Sequence, residues 1–244
     1  QTNRNLIEKI NHEDIKDKQI KNKFAINKLP NKIIVEIIEY SNITEIYMMK
    51  KISDKFSNMI KFSHYKSKNK IKSINFLNHL LESGIKIDVL NLSGTDILEI
   101  NCELNYLNTL DISFNTLNSN INLLFPNLPN LTNLDISNCY DFSNEMCTNF
   151  LQMTKIKILK MKYCARVTEF GFSYILNLFD LEELDVYGCI HITNKIIKII
   201  SQNNKIKKLN VDNCWNINDF AFEYLPDSLM ELSIKTYKSL SENK

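Results

Sequence analysis

Four cysteines, Cys139, Cys164, Cys189 and Cys214, stand 25 positions apart in this chain. Each closes the same kind of phrase: NLDISNC, ILKMKYC, ELDVYGC and KLNVDNC. A catalytic or metal-binding residue rarely recurs at a fixed long interval. A structural residue does, wherever one supersecondary unit is stacked on copies of itself. The period therefore predicts a coil of repeated units, with the cysteine as part of its architecture.

Aligned on the cysteines, the apolar residues fall into register as Leu131, Leu134, Ile136, Cys139, Phe142 and as Ile156, Leu159, Met161, Cys164, Val167. The same frame gives Leu181, Leu184, Val186, Cys189, Ile192 and then Ile206, Leu209, Val211, Cys214, Ile217. Without the cysteine it extends upstream to Leu107, Leu110, Ile112, Asn115, Leu117 and Ile87, Leu90, Leu92, Thr95, Ile97. Downstream it reaches Leu229, Leu232, Ile234, Tyr237, Leu240. These seven copies of L-x-x-L-x-L-x-x-(N/C)-x-L resemble the leucine-rich repeat. The central alternation has the period of a short strand buried on one side, and stacked copies set such strands about 4.8 Å apart in parallel.

The expected fold is an α/β solenoid, with short parallel strands on the concave side and helices or extended segments on the convex side. In the later copies the return begins with a helix-start signal at Ser143, Thr168, Thr193 or Asn218. Helical apolar spacing follows, as in Phe172, Ile175, Leu176, Phe179 and in Ile196, Ile197, Ile199, Ile200.

At the strand's end a small side chain must cover the turn. Asn115 does so with its amide, and cysteine with a compact apolar thiol. Structural zinc needs ligands converging on one point, usually in closely spaced pairs. A column with one thiol per copy offers none, so no metal and no cofactor is expected. Unpaired buried thiols suit a reducing cytosol or nucleus.

Hydrophobic residues make up 44% of the 244, enough for a sizeable core. With 30 basic and 28 acidic residues the net charge is +2, which argues against a general polyanion binder such as a nucleic-acid protein. There are only four glycines and four prolines, and asparagine, which tolerates left-handed backbone, is expected to take turn positions instead. No run of about 20 apolar residues is present to span a membrane. The Asn-x-Ser/Thr triplets at Asn42, Asn91 and Asn130 are chance matches in an asparagine-rich chain.

Residues 28–62 do not follow the repeat. Ile33, Ile34, Ile37, Ile38 and then Ile46, Met49, Ile52, Phe56 have helical spacing, with Pro30 at a first turn. This segment resembles the F-box: Leu29-Pro30, a helix ending at Ile37 to Tyr40, the acidic-apolar pair Glu45-Ile46, and Ile52 to Phe56. Departures are Lys32 for an acid, Ser41 for an apolar residue and Ser53 for a cysteine. Followed by cysteine-containing repeats, the order resembles the F-box/leucine-rich-repeat family. The organisation expected is an arm at 1–27, the F-box at 28–62, a linker and capping helix at 63–84, and repeats over 85–244. KFSHYKSKNKIK (61–72) is expected to be a solvated connection.

That resemblance implies a non-catalytic, cytoplasmic or nuclear receptor that docks a Skp-type adaptor of a cullin–RING ubiquitin ligase and holds a protein substrate on its repeats. Adaptor contacts are expected from Leu29, Pro30, Ile33, Ile37, Ile38, Ile46, Met49, Ile52 and Phe56, some of which must form the F-box's own small core. Substrate contacts are expected from strand positions facing away from the core and from neighbouring aromatics: Phe114, Lys160, Lys162, Tyr163, Asp185, Tyr187 and Trp215. Lys160 is also placed to pair with Asp135 and Asp185. None of the four histidines stands in a nucleophile–base arrangement, and no glycine-rich phosphate loop is present. Cys189 should point inward and His191 into the turn. The competing reading is a repeat scaffold uncoupled from ubiquitin transfer.

Overall fold

The computed structural model describes residues 29–31, 33–34, 37, 41, 43–55, 64–66, 71, 77–78, 81–82, 86–95, 104–117 and 121–235. The chain divides into two compact units at Ser63 and His64.

In the first unit Pro30 opens a helical turn, its carbonyl accepting from Ile34 N at 3.2 Å. A helix follows over Ile43–Ile52, with Glu45 in its first turn and Lys50 and Lys51 in its last, each sign matching the helix dipole. Ile34, Ile46 and Ser53 are buried. Ser53 Oγ accepts from Lys55 N, and Lys55 Nζ reaches the Leu29 carbonyl at 2.6 Å.

The second unit is a coil around one eight-stranded parallel sheet in sequential order. Its strands are β1 (His64–Lys66), β2 (Lys86–Asn91), β3 (Thr109–Asp111), β4 (Asn133–Asp135), β5 (Ile158–Lys160), β6 (Glu183–Asp185), β7 (Lys208–Asn210) and β8 (Glu231–Ser233). Seven belong to the seven sequence copies, and the register aligns Leu90, Leu110, Leu134, Leu159, Leu184, Leu209 and Leu232 rung by rung. The first six are buried, as are the second alternating residues Leu92, Ile112, Ile136, Met161, Val186 and Val211. One wall of the core is thus made of stacked leucines.

β1 was not expected. It pairs with β2 through His64, Tyr65 and Lys66, with a register irregularity after Tyr65, so part of the lysine-rich 61–72 segment forms an edge strand. Three residues without apolar alternation carry no period to read.

The returning side is tighter than helical spacing suggests. Met146–Leu151, Ser173–Asn177 and Asp219–Tyr224 are 3-10 helices, while α-helix is confined in these copies to Glu169–Phe172 and Asn194–Ile200. A 25-residue rung leaves little chain for the return, and 3-10 helix covers about 2.0 Å per residue against 1.5 Å for α. Thr168, Thr193 and Asn218 do stand at the N-caps, but only Asn218 caps with its side chain, accepting from Phe220 N. Ser143 instead forms a parallel bridge with Arg166, and that helix starts after Glu145. Phe172 and Ile175 are buried, Leu176 is half-buried and Phe179 is exposed.

Candidate protein-binding face of the sheet

The last residue of most strands ends its strand chemically. Side-chain oxygens of Asn91, Asp111, Asp135, Asp185 and Asn210 accept the backbone N–H two residues on, at 2.9–3.2 Å. Such an Asx turn gives the backbone an alternative to continuing the ladder. Two rungs lack the acid or amide, and in both the preceding rung supplies the acceptor. Lys162 N donates to Ser137 Oγ at 3.2 Å, and Lys235 N donates to Asp212 Oδ1 at 2.6 Å. Much of this polar row therefore closes turns, a role that the spacing Asx-x-x next to each strand could have disclosed.

One residue before the Asn/Cys column the backbone turns left-handed in six rungs: Gly94, Phe114, Asn138, Tyr163, Gly188 and Asn213, with φ from 52° to 67°. Their N–H groups donate to carbonyls of the following rung, so the conformation continues the ladder past the strands. Glycine adopts it freely and asparagine readily, whereas other residues lose about 1–2 kcal/mol. Two aromatics occupy it nonetheless. Tyr163 regains packing inside the fold, for its ring covers Gly188 and meets the Tyr187 ring edge-on at 5.2 Å. The Tyr187 hydroxyl in turn accepts from Asn213 Nδ2. Phe114 does not: it is 65% exposed and stacks on no other ring among the described residues. Trp215, just past the cysteine column, is 63% exposed.

The charged candidates separate. Lys162 Nζ lies 3.0 Å from Asp185, whose residue is only 8% exposed and whose other oxygen closes its own turn. Asp185 is thus turned to internal use and offers little to a partner. The pairing expected through Lys160 runs through Lys162 instead. Lys160 stands in register between Asp135 and Asp185 and forms no ion pair among the described residues.

Behind the turn, Cys139, Cys164, Cys189 and Cys214 are free and fully buried. Each thiol donates to a carbonyl of the rung before: Ile112, Ile136, Met161 and Val186, at 3.1–3.4 Å. Asn115 does the same with its amide, reaching the Leu92 and Ile112 carbonyls at 2.9 and 2.8 Å while accepting from Thr95 N. Burial pushes the Cys139 thiol up to about 11 and those of Cys189 and Cys214 up to about 12. Cys164 moves in the same direction for the same reason. Cys147, outside the repeat pattern, is also buried and raised to about 12. His191 is exposed while Cys189 faces inward.

Of the front-end candidates, Pro30 and Ile33 are exposed, Leu29, Ile37 and Met49 are half-buried, and Ile46 is in the interior. The side chains of Ile38, Ile52 and Phe56 lie outside the described residues.

Sequential parallel strands, a leucine stacked in register from β2 to β8 and short returns define an α/β solenoid of the leucine-rich-repeat type. No family model matches the chain, and no curated protein matches it. Among solved structures it is similar to the complex of Rad7 and Elc1 in yeast, at 16% identity and a TM-score of 0.49 over 79% of this chain and 49% of that one. It is also similar to internalin C2 of Listeria monocytogenes, at 11% identity and a TM-score of 0.43 over 82% of this chain and 96% of that one. The chain spans about half the length of the first of these. No helix among the described residues is long and apolar enough to cross a membrane.

Proposed function

We propose that this chain is a substrate receptor of a Skp–cullin–F-box ubiquitin ligase. Residues 29–56 dock a Skp-type adaptor and the solenoid holds a protein for modification, in the cytosol or nucleus. The supporting observation is the order of parts. A segment with the Leu29-Pro30 to Phe56 pattern comes directly before a solenoid whose turns after the strands expose aromatic side chains, Phe114 and Trp215 foremost. Such a receptor makes and breaks no bonds. It raises the local concentration of a substrate lysine beside the ubiquitin-charged enzyme, and affinity and geometry supply the rest.

Co-expression with a Skp-type adaptor followed by calorimetry tests this. A one-to-one complex is expected, weakened by about 2 kcal/mol or more in the Leu29→Ala, Pro30→Ala double variant, as for central anchors. A failure to co-purify, with the repeats intact by circular dichroism, leaves the uncoupled scaffold as the better account.

A further inference from the structure

The charges of this chain are segregated. From Ile87 to Thr154 there are eight acidic residues and no lysine, arginine or histidine, although the whole chain carries 30 basic and 28 acidic residues. The stretch builds β2, β3 and β4. Asp111 and Asp135 stand opposite each other in the β3–β4 register, about 4.8 Å apart along the sheet. Neither forms an ion pair among the described residues. Of the cations that follow, Lys162 is engaged with Asp185 and Arg166 with Asp141 at 3.2 Å, while Lys160 stands opposite Asp135 in the β4–β5 register without an ion pair among the described residues. At the other border Lys86 Nζ lies 4.5 Å from the centre of the exposed Tyr106 ring, a cation already resting on an aromatic of this region. Phe114 stands in the turn that follows β3, largely exposed and in a backbone conformation that disfavours it.

We propose that the solvent face of β2–β4 docks an extended lysine- and arginine-bearing segment of the substrate protein, with Phe114 as apolar anchor and Asp111 and Asp135 as its charged floor. This rests on the sheet being the substrate-holding part. The sign of the charge selects the occupant: Asp111 and Asp135 in register repel each other, Lys160 neighbours only the second of them, and a cationic chain laid across both removes that repulsion. The ring supplies the desolvated contact on which such interfaces centre. An acidic or phosphorylated segment is disfavoured on this half of the sheet.

Fluorescence anisotropy of the full chain tests it with two labelled twelve-residue probes, three repeats of Gly-Lys-Leu-Lys and three of Gly-Glu-Leu-Glu, in 50 mM salt. The lysine probe is expected to bind at least ~10-fold more tightly, with the difference shrinking as salt screens it. Asp111→Asn with Asp135→Asn is expected to weaken it by ~10-fold or more. The fold should survive, because asparagine makes the same turn at Asn91 and Asn210. Phe114→Asn is expected to weaken it by ~5-fold with no loss of melting temperature, since Asn138 and Asn213 hold the same backbone conformation. Equal binding of the two probes, or affinity unmoved in both variants, overturns the proposal. So does a dimer in sedimentation that Phe114→Asn dissolves, because the face then belongs to a second copy. Adaptor affinity measured on the same variants should not change. Its absence alongside intact probe binding refutes only the ligase assignment.

Discussion

Gly188→Ala is the most informative single change in the coil. The glycine has φ +67°, and a Cβ there would lie 2.5 and 2.6 Å from two ring carbons of Tyr163. Two effects add. Left-handed backbone costs an alanine about 1–2 kcal/mol, offset in part by a stiffer unfolded chain. The Tyr163 ring must also swing away, giving up its edge-on contact with Tyr187, worth about 0.5–1.5 kcal/mol. The expected loss is about 2 kcal/mol, or roughly 4–8 °C in Tm for a chain of this size. Urea titration of the parent, Gly188→Ala, Tyr163→Asn and the double variant separates the parts. With the ring gone, Gly188→Ala should cost only the backbone share, about 1 kcal/mol. A cost that is the same with and without the ring, or a total under about 0.5 kcal/mol, refutes this account of the tyrosine pair.

Asn115→Ala should destabilise by about 2 kcal/mol in the same titration, because the Thr95 amide loses its Asn115 acceptor in a buried turn and the Ile112 carbonyl keeps only the weaker Cys139 thiol donor. Asn115→Cys should cost less, since a thiol restores one donor as it does in the later rungs. The raised thiol pKa values also carry a pH dependence. The unfolded thiols ionise near 9.0 while the folded ones hold their protons to about 11 or 12, so the stability they contribute is complete below pH 9 and is lost as pH climbs toward 12. Each thiol adds up to about 1.4 kcal/mol per pH unit to that decline, and Cys189→Ala should flatten it measurably in urea midpoints between pH 9 and 11. An unchanged slope counts against the buried, protonated column.

The recurrence, 25 residues long among the cysteine copies, made seven strands and their stacked leucines legible, because a core position repeats its chemistry whenever it repeats its environment. β1 was not, since HYK owes its strand state to pairing with β2 rather than to any pattern of its own. The return segments were misjudged in type because i, i+3 and i+4 spacing suits both helix forms, and the available length decides between them. Asp185 was chosen for facing outward and proved to be enclosed by its own turn and Lys162, an interaction between rungs that a single repeat does not display. Gly171 was also missed. A Cβ there would stand 2.5 Å from Asn144 Oδ1, which accepts from Thr168 N one rung on. Phe114 stood out correctly as exposed, but its left-handed backbone emerges only when the rungs are laid side by side.

The borrowed acceptors at Ser137 and Asp212 mean that two of the turns are finished by a neighbour's side chain. Each rung is then answerable only to the one beside it, and damage should spread along the stack instead of through a common centre. In the β8 rung Leu232 and Ile234 are only half covered, whereas Leu209 and Val211 one step earlier are sealed. Loosening should therefore be easier in the β8 rung than in β7, and should reach β7 first through the shared Asp212 acceptor.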